Sequence, residues 1–277
     1  MGPAGSSFDI DLLGTRVRAV VDHHELAGHL RHLLVDAPAS DEAPTEVLEI
    51  TGGDTQGDWV LRHNDRGIFQ SGSRTRLIER FFATLNELVL DAYHGVAIHA
   101  GVVARGRSAI AIPGRSGAGK STLTAACVAA GFSYVSDEAL CIDRLTGDVL
   151  PYPRPLMLSE PSLRLFSPKE GSRNSGDGKV ALGPADLGGN TSSVRLRLAD
   201  VVLVERGSAL TLEPISPSVV VPELLERCFR GREDRGTTFE LLAGVVRDCR
   251  AWRLGYVEAI DAAALLRREL PFSQPAP

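Results

Sequence analysis

Residues 108–129 read SAIAIPGRSGAGKSTLTAACVA. An apolar run of strand length ends at Pro113, and small and apolar residues follow Thr122 at helical spacing. Between them Gly114, Arg115, Ser116, Gly117, Ala118, Gly119, Lys120 and Ser121 satisfy GxxxxGK[ST] in full, in the strand–loop–helix context that this spacing requires. Each residue type has a physical task. The glycines let the backbone curl so that successive N–H groups point inward at phosphate oxygens. A helix opening near Gly119 adds the partial positive charge of its amino end. Lys120 reaches β- and γ-phosphates, the Ser121 hydroxyl is placed for Mg2+, and Thr122 completes the phosphate-binding segment. Lys120, Lys169 and Lys179 are the only lysines among 30 basic residues, so a lysine at this place carries information.

Working outward, the reading is α/β. Residues 1–72 alternate short apolar stretches with turns. Strands are expected at Phe8–Leu13, Thr15–Val21, Glu46–Ile50, Trp59–Arg62 and Gly67–Gln70, with a short helix at Leu26–Val35. This is a small sheet-rich lobe. Leu77, Phe81, Leu85, Leu88 and Val89 then recur at three- and four-residue spacing and predict an amphipathic helix over Arg74–Tyr93. Strands follow at Gly95–Val103 and Arg107–Pro113, broken at Ala104–Arg105–Gly106, then a helix over Leu123–Ala130 and a strand at Phe132–Ser136. Ala139–Asp143 and Asp148–Tyr152 read as a hairpin. Residues 159–191 are the weakest for regular structure; their polar, Gly-rich part, with Lys169, Arg173 and Lys179, has the composition of a loop that closes over a ligand. Val194–Arg206 and Ala251–Val257 read as strands, and Leu224–Cys228, Phe239–Val246 and Ala259–Leu270 as helices. The expected division is 1–72, 73–271 and a disordered tail, 272–277.

Asp137 and Glu138 directly follow the strand Phe132–Ser136. A phosphate loop needs a carboxylate at the end of a neighbouring strand to hold the metal or its water. Two adjacent acids allow one to serve Mg2+ and the other to accept a hydroxyl proton. His99 lies inside the apolar strand GVAIHAGVV. It is either a core histidine with a backbone partner or a group that contacts an active-site carboxylate and tunes it. Arg154, in PYPRPLML, is held between prolines and is either a surface arginine or a phosphate contact.

Composition removes several classes. A formal charge of −5 and only 5% aromatics argue against nucleic acid as partner. No run of 18 apolar residues exists and the start MGPAGSSFDIDLLG has no basic or apolar leader pattern, so no membrane partner and a cytoplasmic location are expected. Cys127, Cys141, Cys228 and Cys249 are widely spaced and read as reduced core residues.

HAGVV from His99, the run GRSGAGKST and GFSYVSDE ending at Glu138 together resemble the catalytic domain of bacterial HPr kinase/phosphorylase. They are more similar still to the shorter related kinases of peptide-modification gene clusters. PYPRPLML and GDGKVALGPADLG add to the likeness, which covers residues 74–206. The resemblance implies a P-loop kinase core of the type shared with phosphoenolpyruvate carboxykinase, with a bent mixed sheet, and phosphoryl transfer to a seryl hydroxyl. It implies that Asp137 is the catalytic aspartate, His99 its neighbouring histidine, and Lys120 and Ser121 the phosphate- and Mg2+-binding pair. Glu138 becomes the acid near the metal. Glu138 stands where the full-length enzyme has aspartate, and neither its phosphorolysis-supporting segment nor its regulatory lobe is recognisable. These departures move the expected acceptor from HPr to a serine of a ribosomally made peptide, or to a small metabolite.

The expected activity is therefore ATP- and Mg2+-dependent phosphorylation of a hydroxyl, with Asp137, His99, Lys120 and Arg154 as the catalytic set and Ser121, Glu138 and Asp137 around the metal. Loop residues 114–122 bind the nucleotide. The alternative is a P-loop NTPase or nucleotide-gated switch with no acceptor. A homo-oligomer remains open.

Overall fold

Two-residue turns set the amino-terminal architecture. Leu13 and Gly14 (φ 54° and 85°) join one strand pair, and Asn64 and Asp65 (φ 45° and 67°) join another. Positive φ at both central residues matches the right-handed twist of the flanking strands. The structure, a computed structural model, describes residues 6–38, 42–53, 57–114, 117–166, 178–207, 209–229 and 235–270.

The elements run in chain order as β1 (Ser6–Leu12), β2 (Thr15–Val21), α1 (His24–Leu33), β3 (Glu46–Gly52), β4 (Trp59–His63), β5 (Arg66–Ser71) and α2 (Arg74–Ala92). Then come β6 (Val96–Arg105), β7 (Ser108–Pro113), α3 (Lys120–Ala129), β8 (Ser133–Ser136), β9 (Ala139–Ile142) and β10 (Val149–Leu150). Next are β11 (Leu156–Leu158), α4 (Glu160–Leu163) and β12 (Val180–Leu182). The chain closes with β13 (Arg197–Arg206), β14 (Thr211–Ile215), α5 (Pro217–Leu225), α6 (Arg235–Arg247), β15 (Arg250–Tyr256) and α7 (Ala259–Glu269).

The fold is mixed α/β, with a small sheet-rich amino-terminal lobe and a larger core around a bent mixed sheet. Two compact units divide the chain: residues 1–93 with 157–183, and residues 94–156 with 184–277. In the first, β1 to β5 form one sheet in sequence order. Thr15, Val17, Ala19 and Val21 of β2 are buried in strict alternation, and Leu26, Leu30 and Leu33 of α1 are buried as well. Helix α2 buries Leu77, Phe81, Leu85 and Val89 of the expected stripe and leaves Leu88 half-buried, and the Ser73 hydroxyl caps it by accepting from Arg76 N.

The second unit is built on an eight-stranded sheet in the order β10-β9-β6-β7-β13-β15-β14, with β8 also paired to β6. β7, β13 and β15 are mutually parallel, and β6 is antiparallel to its partners β7, β8 and β9. Alternate β6 residues meet different helices. Ala100 and Val102 join the core cluster that holds Val220 and Leu224 of α5 and Leu242 and Val246 of α6. Gly101 faces α3, where an added Cβ would sit 2.1 Å from Thr124 Oγ1. Successive strand residues point oppositely, so helices cover both faces of β6.

Several boundaries differ from the sequence expectation. β6 continues through Arg105, because Gly106 (φ 59°) and Arg107 alone make the turn. The Arg105 side chain then reaches the carbonyls of Arg267 and Leu270 at the end of α7. α3 begins at Lys120 and α5 spans Pro217–Leu225, with proline tolerated in its first turn. β11, β12 and β14 were not expected. The closing loop sought in 159–191 falls largely on 167–177, outside the described residues.

Candidate active site

The loop after β7 lies at the sheet end where β7, β13 and β15 all finish. Gly114 is packed on three sides: a Cβ there would lie 3.1 Å from Val204 Cγ2, 3.3 Å from Lys120 Cγ and 3.4 Å from Ala118 Cβ. Arg115 and Ser116 lie outside the described residues. Gly117 and Gly119 have φ of 81° and 87°, conformations that side-chain-bearing residues seldom adopt. Gly119 is the N-cap of α3 and its carbonyl accepts from Leu123 N at 2.9 Å. Lys120, 6% exposed, folds back so that Nζ donates to Gly114 O at 2.9 Å. Ser121 and Thr122, in the first turn of α3, are half-buried.

The two acids sit on the opposite edge of β6. β8 and β9 run along that edge in line, Ser136 opposite Val102 and Ala139 opposite His99. The same register places Asp137 opposite Gly101 and Glu138 opposite Ala100, and Ala100 N donates to Glu138 O at 3.2 Å. Ser136 Oγ satisfies the break between the strands, accepting from Glu138 N at 3.2 Å and Ala139 N at 3.1 Å. Across β6, Ala100 pairs with Pro113 and Gly101 with Ile112. Pro113, Ala100 and Glu138 thus form one row over three strands. At roughly 4.8 Å per strand, the backbone entering the loop and the backbone of the acids are about 10 Å apart. Asp137 itself lies in the bend between β8 and β9, beside Gly101 in the order of the register.

Asp137 is 6% exposed. Glu138 is more open, its side chain 24% exposed, and Arg154 Nη1 donates to its Oε2 at 2.8 Å. His99 Nδ1 lies 3.1 Å from Glu138 O and 3.5 Å from Glu138 Oε1. The expectation pairs His99 with Asp137; the ring contacts here are with Glu138, because His99 faces Ala139 in register and the residue before Ala139 is Glu138. The outer side of the ring meets Phe229 edge-on at 5.8 Å. Residues 227–229 are fastened to β6 by His99 N to Arg227 O at 2.8 Å and Phe229 N to Ala97 O at 2.9 Å.

Arg154 is 8% exposed and its backbone is anchored at both ends: its N–H donates to Tyr152 O at 2.9 Å, and its carbonyl accepts from Tyr134 Oη at 2.5 Å. Burial pushes the Tyr134 phenol well up, and the Asp137 charge pushes it further, so it stays a neutral donor. Burial raises Tyr152 in the same way. The guanidinium expected to meet phosphate is in these contacts paired with Glu138.

Among the described residues no group of three or more His, Cys, Asp or Glu side chains is placed to hold a metal by itself. The oxygen groups expected to serve a metal are the Ser121 hydroxyl and the carboxylates of Asp137 and Glu138. This hard-oxygen set fits Mg2+, which keeps waters and shares ligands with phosphate rather than sitting in an all-protein cage.

Two side chains were not found from sequence. Tyr256, the last residue of β15, donates from Oη to Ala118 O at 3.3 Å, and Arg206, the last of β13, lies against Gly119. Both end parallel strands at the end of the sheet where the loop after β7 begins, the end at which open α/β sheets carry their ligands. That signal exists only once the strand order is known.

No family model matches the chain, and no curated protein does. Among solved structures it is similar, weakly and in part, to the Hpr(Ser) kinase/phosphatase from Coxiella burnetii: 11% identity and a TM-score of 0.32, over 63% of this chain and 95% of that one.

Proposed function

We propose that the chain is a phosphotransferase that binds Mg·ATP on residues 114–122 and passes the γ-phosphoryl group to a hydroxyl, that of a serine in a ribosomally made peptide or that of a small metabolite, releasing ADP. The observation that carries this reading is the row Pro113–Ala100–Glu138, which brings the entry to the GxxxxGK[ST] loop and the acidic pair to one end of one sheet. The loop amides and Lys120 take the phosphate oxygens, and Ser121 with Asp137 and Glu138 takes Mg2+. Bound Mg2+ neutralises charge on the phosphate oxygens. Asp137, the more buried acid, accepts the hydroxyl proton. Arg154 and His99 fix Glu138 at its carboxylate and carbonyl, so the acid holds one orientation. Lys120 leaves Gly114 O for phosphate when nucleotide enters.

The test is transfer from γ-labelled ATP to a panel of free serine, serine-ended peptides and products of neighbouring genes. Wild type labels at least one acceptor, and Asp137→Asn binds Mg·ATP but transfers about a hundredfold more slowly or worse. Steady hydrolysis that no acceptor accelerates would establish the NTPase alternative instead. Transfer by Asp137→Asn near the wild-type rate would remove Asp137 as base.

A further inference from the structure

β13 and β15 are parallel and in register, so Arg206 and Tyr256 stand side by side at their ends, joined by Gly207 N to Tyr256 O at 2.8 Å. Both press on the glycine that opens α3. A Cβ on Gly119 would lie 2.6 Å from Tyr256 Oη and 3.5 Å from Arg206 Cδ. The aliphatic stem of Arg206 therefore lies against Gly119, the N-cap of α3, while Tyr256 Oη donates to Ala118 O one residue earlier. Arg206 and Tyr256 thus flank Gly119 from adjacent strand ends, and burial raises the Tyr256 phenol.

Among the described residues, two cations of the candidate site have acceptors within the protein: Arg154 Nη1 is on Glu138 Oε2 and Lys120 Nζ on Gly114 O. Glu205, the carboxylate beside Arg206, is paired with Arg253 at 3.1 Å, and among the described residues Arg206 has no ion-pair partner. A triphosphate keeps net negative charge after one Mg2+ and one lysine have bound it. Guanidinium is the side chain best shaped to take two phosphate oxygens at once.

We propose that Arg206 is a second phosphate-binding cation of the nucleotide site, positioned over Gly119 by Tyr256. This rests on the nucleotide reading above and adds a residue that no part of the GxxxxGK[ST] spacing contains. Arg206 binds phosphate rather than base or sugar, so its contribution is shared by any Mg2+-bound polyphosphate.

The experiment is calorimetric titration of wild type, Arg206→Gln, Arg206→Lys and Arg268→Gln with Mg·ATP and with Mg·tripolyphosphate. Arg268 is an exposed arginine paired with Glu269 on α7 and serves as the charge control. Arg206→Gln should weaken both ligands about tenfold or more, the loss of a charge-assisted hydrogen bond. Arg206→Lys should recover part of that loss, and Arg268→Gln should match wild type. Arg206 is exposed, so the variants should melt as wild type does. Unchanged affinity in Arg206→Gln overturns the assignment and leaves the nucleotide reading standing. A loss for ATP with none for tripolyphosphate overturns it as well. Failure of wild type to bind either ligand overturns both.

Discussion

Two carboxylates of the larger unit are each paired with an arginine, and their surroundings differ in kind. Asp200 of β13 is 2% exposed and takes three hydrogen bonds of 2.8 Å, from Arg250 Nε, Arg250 Nη2 and Trp252 Nε1. All three donors come from the neighbouring strand, and the network is complete. Glu138 has one arginine and one histidine, keeps a quarter of its side chain exposed, and follows a buried aspartate. The first arrangement fixes strand order. The second leaves part of the carboxylate open to solvent. In the proposed function that opening is what lets Glu138 serve a metal, whereas a buried ion pair alone marks no functional site.

Mutations at the two sites should separate along that line. The largest effect is expected from Asp137→Asn, which should lower transfer about a hundredfold or more, the range of a lost general base, with thermal stability near wild type. Asp200→Ala should do the opposite. It leaves Arg250 and Trp252 without their acceptor and should lower unfolding free energy by about 3 kcal/mol, read by urea denaturation. Transfer per folded molecule should persist. If Asp200→Ala abolished activity in protein that remains folded, the contrast between the sites would fail.

Gly101→Ala sharpens the comparison from β6, the strand between the loop and the acids. Its Cβ would meet Thr124 Oγ1 at 2.1 Å and push α3 from β6, for about 1–3 kcal/mol of overpacking. Because α3 carries Lys120 and Ser121, Mg·ATP affinity should fall with stability, a coupling that Asp200→Ala does not show. The smallest effect lies in the amino-terminal lobe. Glu46 is held below the usual glutamate range by the hydrogen bond from His63 at 2.6 Å, aided by Asn64 at 2.9 Å. A carboxylate lowered in the folded state stabilises above its unfolded pKa, and that stabilisation is lost as pH falls through the folded value. The melting-temperature gap between wild type and Glu46→Gln should be present at neutral pH and close in acid. A gap that widens toward acid would contradict the assignment.

Much of this molecule is local and was legible. The α2 stripe, the β1–β2 and β4–β5 pairs and the loop between β7 and α3 are written in spacing and turn residues that act over a few positions. β14 was missed because Pro214 and Glu213 break its alternation, and the helix expected at Leu224–Cys228 lies earlier, at Pro217–Leu225, because Pro217 and Pro222 mask a helix that packing sustains. Asp137, Glu138, His99 and Arg154 could be named individually. Which of them touch could not, since His99 meets Glu138 through a register between strands 39 residues apart. Arg206 and Tyr256 depend on parallel pairings of still longer range, on which no local pattern bears.

The central claim is that the amides of 114–121 and the acids at 137–138 face one another across a bound metal ion. A crystal structure with a non-hydrolysable ATP analogue and Mn2+ tests it directly, because the anomalous signal of manganese locates the metal independently of the fitted ligand. The account predicts an anomalous peak between Ser121 Oγ and the carboxylates of Asp137 and Glu138, with the terminal phosphates on the loop. A peak elsewhere, or a triphosphate bound away from Lys120, would contradict it.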